Sequence, residues 1–250
     1  MIQAVMFDMG GTLEDLYSDE KNNKATAYAL YDILKKHGLE VPYEAEPLWD
    51  IVGARIQAYK KNSEKTLIEL KPEEIWCDWG FKDIDIDKQK LAEISEEIAH
   101  MWEITYYHRV LRPRVAEMLG ELRAMGMKLG IISNTAALFQ VFDSLEAYGI
   151  RDCFRDVTLS SVTGLRKPCG DIFTVSLRQM QSRPEECVYV GDTVSRDVIG
   201  SKRAGFAVAI QIQSKLTREK DRRAEGAMAA DFVISDIYQV AEVVRGLTRA

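Results

Sequence analysis

The sequence predicts an α/β protein: a mostly parallel, doubly wound sheet, interrupted early by a smaller helical insertion. Three observations carry this. From Leu111 onward, short β-branched runs alternate with helix-period segments, the pattern of parallel strands joined by right-handed crossovers and covered on both faces. Between Leu16 and Leu111, apolar residues recur at helix spacing, as in Ala25, Ala29, Leu30, Ile33 and Leu34, with few short apolar runs. The chain opens on an apolar run, Ile2 to Phe7, that stops at Asp8 just before Gly10 and Gly11, where the backbone can turn sharply and approach a ligand closely.

Each element follows from its own pattern. Ile2 to Phe7 reads as the first strand, and Ala45 to Lys61 and Asp87 to Tyr107 as further helices of the insertion. Trp76, Trp79 and Phe81 fall in a loop-rich stretch between them. Beyond Leu111, helices are expected over Arg114 to Met125, Ala136 to Tyr148, Asp171 to Met180, Ser195 to Ala204 and Ile237 to Leu247. Strands are expected over Lys128 to Ile132, Val157 to Leu159, Cys187 to Val190, Ala207 to Ile212 and Phe232 to Ile234.

Composition narrows the function. With 250 residues, 46% hydrophobic and 29% charged, the chain has mass for one large or two modest cores. A formal charge of −6 argues against a nucleic-acid surface, which shows as a basic excess. Cys77, Cys153, Cys169 and Cys187 make no CxxC pair, and His37, His100 and His108 make no zinc motif. They read as free buried thiols of a reducing compartment. With no leader and no long apolar stretch, the expectation is a cytoplasmic protein without a membrane partner.

In parallel sheets, ligands bind at the carboxyl ends of the strands, and each polar candidate follows a strand. Asp8 follows the first, Ser133 and Asn134 the next, Lys167 lies in the loop after the third, and Asp192 follows Val188 to Gly191. Asp8, Asp192 and Asp197 would form a dense negative cluster, costly without a hard cation and a lysine. All-oxygen donors favour magnesium. Ser133 and Asn134, with the following helix N-terminus, can donate to an anion, and Lys167 can hold it as a point charge. Each piece alone also fits a plain role: a helix cap, a solvated turn, or a first-turn acid on a helix dipole.

Together the motifs resemble those of the haloacid dehalogenase superfamily of aspartate-nucleophile hydrolases. Asp8-Met9-Gly10-Gly11-Thr12-Leu13, Ile131-Ile132-Ser133-Asn134, Arg166-Lys167-Pro168 with Phe173, and Gly191-Asp192-Thr193-Val194-Ser195-Arg196-Asp197 match its four motifs in order. The resemblance implies a Rossmann-like core over residues 1–15 and 112–250, with a helical cap over 16–111. It implies Asp8 as the nucleophile taking a phosphoryl group, with Thr12 orienting its loop and Lys167 stabilising nucleophile and phosphoryl charge. Ser133 and Asn134 would bind phosphate with Lys167. Magnesium would be held by Asp8, the Gly10 carbonyl, Asp192 and, directly or through water, Asp197.

The sequence departs from the family at Gly10, where its phosphatases carry a second Asp that protonates the leaving group and activates water. A lesser departure is Gly170, where a proline often stands. A general acid is typically worth about 10²–10⁴ in rate, so unactivated alkyl phosphates should turn over slowly unless another group substitutes. Glu14 and Asp15 are the nearest acids, though acids opening a helical insertion also serve its dipole. His100, His108, Trp76 and Trp79 are candidates to line a substrate pocket, and Lys60, Lys61 and Lys65 read as a solvated face. The expected function is magnesium-dependent hydrolysis of a small phosphorylated metabolite through an aspartyl-phosphate. The alternatives are a catalytically weak relative that binds a phosphorylated ligand or a protein, and cleavage of carbon–halogen or carbon–phosphorus bonds.

Overall fold

The computed structural model describes residues 1–214 and 228–249. Six parallel strands form one sheet in the order β5-β4-β1-β6-β7-β8: β1 Ala4–Phe7, β4 Lys128–Ser133, β5 Asp156–Leu159, β6 Cys187–Gly191, β7 Val208–Ile212 and β8 Phe232–Ile234. The chain winds outward from β1 through β4 to β5, returns to β6, and winds the other way. The reversal flanks β1, so the ends of β1 and β6 border the crevice where such folds bind ligands. The period-2 rule divides β1: Val5 and Phe7 join Leu129, Ile131, Val188 and Val190 on one face, packed on Met118, Leu122, Val240 and Val244. Ala4 and Met6 turn to the other face with Ile172, Phe173, Met180 and Tyr189.

The stretch after β1 departs from the expected all-helical insertion. Its two ends, β2 Glu14–Tyr17 and β3 His108–Leu111, pair as an antiparallel ribbon with Glu14 opposite Leu111 and Tyr17 opposite His108. Both strands are four residues long and largely open to solvent on one side, so they leave no apolar alternation to read. Glu14 and Asp15 therefore sit on a strand and not at a helix start.

Between the ribbon strands lie helices Glu20–Lys36, Ala45–Thr66, Lys88–Glu93 and Ser95–Thr105. Asp19 caps the first, accepting from the Asn22 N–H at 2.9 Å. The stretch with Trp76 and Trp79 is also helical, Pro72–Glu74 running into a π-helical turn Ile75–Gly80. Trp76 and Phe81 there join Leu30, Leu48, Val52, Ile56 and Ile98 in a separate core. Clustered aromatics there mark helical core packing, which the search for longer periodic runs does not register.

Two other helix boundaries move. The helix expected from Ala136 begins at Gln140, so no helix N-terminus directly follows Ser133 and Asn134. The helix expected from Ser195 is a π-helical turn Val194–Val198 continued by Ile199–Arg203. The four cysteines are free, but only Cys187 is fully buried; burial pushes its thiol up to about 12. Among the described residues, no helix is long and apolar enough to cross a membrane.

Candidate active site

The carboxyl ends of β1, β4 and β6 and the loop after β5 bring Asp8, Ser133, Asn134, Asp192 and Lys167 around one cavity of about 240 Å³. Asp8 emerges from β1 with its N–H still bonded to the Val190 carbonyl at 2.9 Å. Gly11 turns the chain at φ +91°, and a Cβ there would overlap the Asp192 carboxylate, so glycine is required by close approach as well as by the left-handed backbone. Thr12 Oγ1 donates to Asp8 Oδ2 at 3.3 Å. Lys167 Nζ, 3% exposed as a residue, donates to Asp8 Oδ1 and Asp197 Oδ1 at 2.7 Å each and to the Tyr189 hydroxyl at 2.9 Å.

Asp8, Asp192 and Asp197 each offer an oxygen within 4.8 Å of the others, and all three are buried. Their surroundings differ. Asp197 is crowded with donors: Lys167, Tyr189, and the Thr193 N–H and hydroxyl. Burial pushes its carboxyl up, but Lys167, Arg196 and these hydrogen bonds outweigh burial and hold it below the ordinary range. For Asp8, burial prevails with help from Asp197, over the pull of Lys167 and Arg196, and the carboxyl is raised. Asp192 is raised furthest, by burial and by repulsion from Asp8 and Asp197, and its Oδ1 is buried without a hydrogen-bond partner. A buried, orphaned carboxylate oxygen facing two more carboxylates is a donor set for a hard divalent cation, and oxygen-only donors suit magnesium.

The other candidates resolve individually. Asn134 spends its amide on the loop that carries the lysine: Lys167 N donates to Oδ1 at 2.9 Å, and Nδ2 donates to the Lys167 carbonyl at 3.2 Å. Glu14, the first residue of the ribbon, is buried, ion-paired to Arg109 and accepting from the Tyr148 hydroxyl at 3.0 Å. Asp15 points outward to Arg112 at 2.9 Å. Neither lines the cavity, and the same holds for His100, bonded to Asp143 at 2.9 Å, for exposed His108, and for Trp76 and Trp79. Lys61 and Lys65 are exposed as expected, but Lys60 is half-buried and lines the cavity.

Several cavity residues carry no sequence signal. Glu69, on the segment after the second helix, is buried and ion-paired to Arg166, with Tyr59 and Ser160 hydroxyls donating to it at 2.5 and 2.7 Å. A short antiparallel bridge between Ile68 and Leu165, with Arg166 N donating to the Leu67 carbonyl at 3.0 Å, fastens the insertion to the loop of Lys167. Trp102, Glu103, Tyr107 and Arg196 complete the wall. The Arg166 neighbour of Lys167 and the arginine before Asp197 lie inside recognised motifs, a hint available in advance. Glu69 had none.

A model of the haloacid dehalogenase-like hydrolases matches residues 2–205. The chain belongs to this family of hydrolases. Along its whole length it is 28% identical to the glyceraldehyde 3-phosphate phosphatase of Methanopyrus kandleri, covering 100% of both chains. It is 34% identical to the enzyme of that name from Methanothermobacter thermautotrophicus, over 98% of this chain and 100% of the relative. In fold it is similar to the crystal structure of the 2-haloacid dehalogenase from Pseudomonas syringae pv. Tomato, with a TM-score of 0.65, 23% identity and coverage of 99% of this chain and 100% of that one. The hydrolase assignment thus agrees with a family match over most of the chain and with full-length phosphatase relatives.

Proposed function

We propose that this protein is a magnesium-dependent phosphatase of a small phosphorylated metabolite, with Asp8 as nucleophile. The observation that carries the reading is the unpartnered Asp192 Oδ1 beside Asp8, with Lys167 spanning Asp8 and Asp197. Phosphatase relatives of full length support it, and glyceraldehyde 3-phosphate, the substrate in their names, is one compound to try. Asp8, the Gly10 carbonyl and Asp192 would hold magnesium, with Asp197 contributing through water because its oxygens are already occupied. The ion would neutralise the carboxylates and polarise the phosphoryl oxygens.

The chain's own residues then have distinct work. Asp8 attacks phosphorus; the bond to the leaving oxygen breaks, that oxygen takes a proton from water, and a water then hydrolyses the aspartyl-phosphate, releasing phosphate and restoring the Asp8 carboxylate. Thr12 and Lys167 fix the nucleophile, Lys167 and Ser133 bind the phosphoryl group, and Asn134 holds the Lys167 loop and would donate its remaining N–H to the same anion. Residues 16–111 would act as a cap over the core of residues 1–15 and 112–250. Acidic charge and four free thiols fit a cytoplasmic enzyme without nucleic-acid or membrane partners.

Gly10 supports a second reading, ligand binding with negligible turnover, because no carboxylate stands two residues beyond Asp8. Hydrolysis of p-nitrophenyl phosphate, a leaving group that needs little protonation, separates the two. Turnover that requires magnesium, stops with chelator and vanishes in a folded Asp8→Asn variant supports the phosphatase. Absence of turnover in folded, magnesium-bound protein supports the binding role.

A further inference from the structure

Glu69 lines the cavity and is 3% exposed, yet both of its oxygens are committed. Oε1 accepts from the Tyr59 hydroxyl at 2.5 Å, and Oε2 takes the Ser160 hydroxyl at 2.7 Å and the Arg166 guanidinium. A carboxylate so engaged is suited to brace its neighbours. Followed outward, those neighbours close a ring. Arg166 adjoins Lys167, whose N–H donates to Asn134 Oδ1 at 2.9 Å, and Asn134 Nδ2 donates back to the Lys167 carbonyl at 3.2 Å. Asn134 adjoins Thr135, whose N–H donates to Ser160 Oγ at 2.9 Å, and Ser160 returns the ring to Glu69. Ser133 stands directly before Asn134. Glu69 is the one member of the ring that the insertion supplies.

The insertion supports the same two loops at other points. Arg166 N–H donates to the Leu67 carbonyl and Glu69 N–H to the Gly164 carbonyl, both at 3.0 Å. On the other loop, Ala136 and Ala137 pack in the insertion's hydrophobic core, and the Glu96 carboxylate accepts from the Leu138 N–H at 2.9 Å and the Phe139 N–H at 3.1 Å. The carboxylate cluster, by contrast, is held from within the core, Thr12 donating to Asp8 and Thr193 to Asp197. A buried ion pair often adds no more stability than an apolar pair of similar volume, but its geometric demands are strict. The pair of Glu69 and Arg166 thus favours one placement of the insertion against the Lys167 loop.

We propose, on the phosphatase reading above, that Glu69 is a positioning residue for phosphate binding. Through Arg166 and through Ser160 it sets the distance between the Lys167 loop and the loop of Ser133 and Asn134, the two that would hold the phosphoryl group. The insertion thereby builds part of the phosphate site, while the carboxylate cluster keeps its geometry without it. Placement of this kind matters, since a shift of about 1 Å caused far from the chemistry can cost on the order of 10²-fold in rate.

The test is the competitive Ki of inorganic phosphate against magnesium-dependent p-nitrophenyl phosphate hydrolysis. Glu69→Gln should raise Ki and lower kcat/KM about 10- to 100-fold, with the magnesium concentration for half-maximal activity changed less than about twofold. Ser160→Ala, at a residue outside the cavity wall, should raise Ki several-fold, and the double variant should be no worse than Glu69→Gln alone, because both cut one ring. Leu30→Ala, a deletion in the insertion's own core, costs stability and should leave Ki unchanged. An unchanged Ki in folded Glu69→Gln, an equal rise in Leu30→Ala, or additive effects of the two ring variants overturns the proposal. Where Glu69→Gln does not fold, Ser160→Ala decides alone: a raised Ki supports the brace, and an unchanged one overturns it. If p-nitrophenyl phosphate is not turned over, the phosphatase reading fails by itself. Calorimetric titration with phosphate then reads the brace: weaker binding in the variants supports it, and equal binding, or none in the wild type, overturns it.

Discussion

Asp192 makes the most specific demand of any residue in the molecule. Its carboxyl is raised by burial and by two neighbouring carboxylates, so below the raised value the proton is held more tightly in the folded chain than in the unfolded one. The metal-free protein therefore loses stability as pH climbs from the ordinary carboxylate range through that raised value. A bound divalent cation would reverse the loss. Magnesium at about 100 times its Kd should add about 2.7 kcal/mol, or roughly 5–10 °C in Tm for a chain of this size. The gain should be larger at pH 8 than at pH 5; scanning fluorimetry with and without magnesium at both pH values measures it, and a gain independent of pH would speak against the site.

Gly10 sets a second prediction at this scale. Its backbone lies outside the left-handed region, and an added Cβ would fall 2.6 Å from Leu16 Cδ2, the flexible end of a side chain. Gly10→Asp therefore fits once Leu16 yields, most readily with Leu16→Ala. The double variant should raise alkyl-phosphate turnover toward the lower end of the 10²–10⁴ typical of a general acid. Steady-state kinetics on ethyl phosphate checks it, and no gain in folded protein would mean that the leaving oxygen departs elsewhere.

Among the elements, the inner sheet strands were legible because parallel strands buried on both faces read as short continuous apolar runs, and the edge strands because they keep short β-branched runs such as Phe232 to Ile234. Val188, Tyr189 and Val190 are such a run. The β2–β3 ribbon was not, because Asp15, Tyr17, His108 and Val110 face solvent and only pairing across more than ninety residues makes them strands. The seam between insertion and core was equally silent, since Glu69 and Arg166 lie far apart in sequence. Removing one member of such a buried pair typically costs about 3–5 kcal/mol, so Glu69→Ala should lower stability by that order in urea denaturation. A loss below about 1 kcal/mol would mean that the backbone bridge at Ile68 and Leu165 holds the seam alone.

For the whole molecule, the four motifs place a carboxylate, a phosphate-side loop, a lysine and an acidic pair at the carboxyl ends of neighbouring strands, and the sheet order brings them to one rim. That much follows from chain order and the switch in winding direction. The cavity's other wall does not, because Lys60 and Trp102 come from helices, and Tyr107 from the bend after one, whose packing, not local pattern, aims them inward; Lys60 read as a solvated charge until the fold closed over it. The central claim is that Asp8 carries the phosphoryl group during turnover. Acid-quenching the magnesium-loaded enzyme during p-nitrophenyl phosphate hydrolysis and mapping its peptides by mass spectrometry tests this directly. The predicted result is a mass gain of one phosphoryl group on the peptide containing Asp8, absent from Asp8→Asn; rapid turnover with no adduct on Asp8, or with the adduct elsewhere, would contradict it.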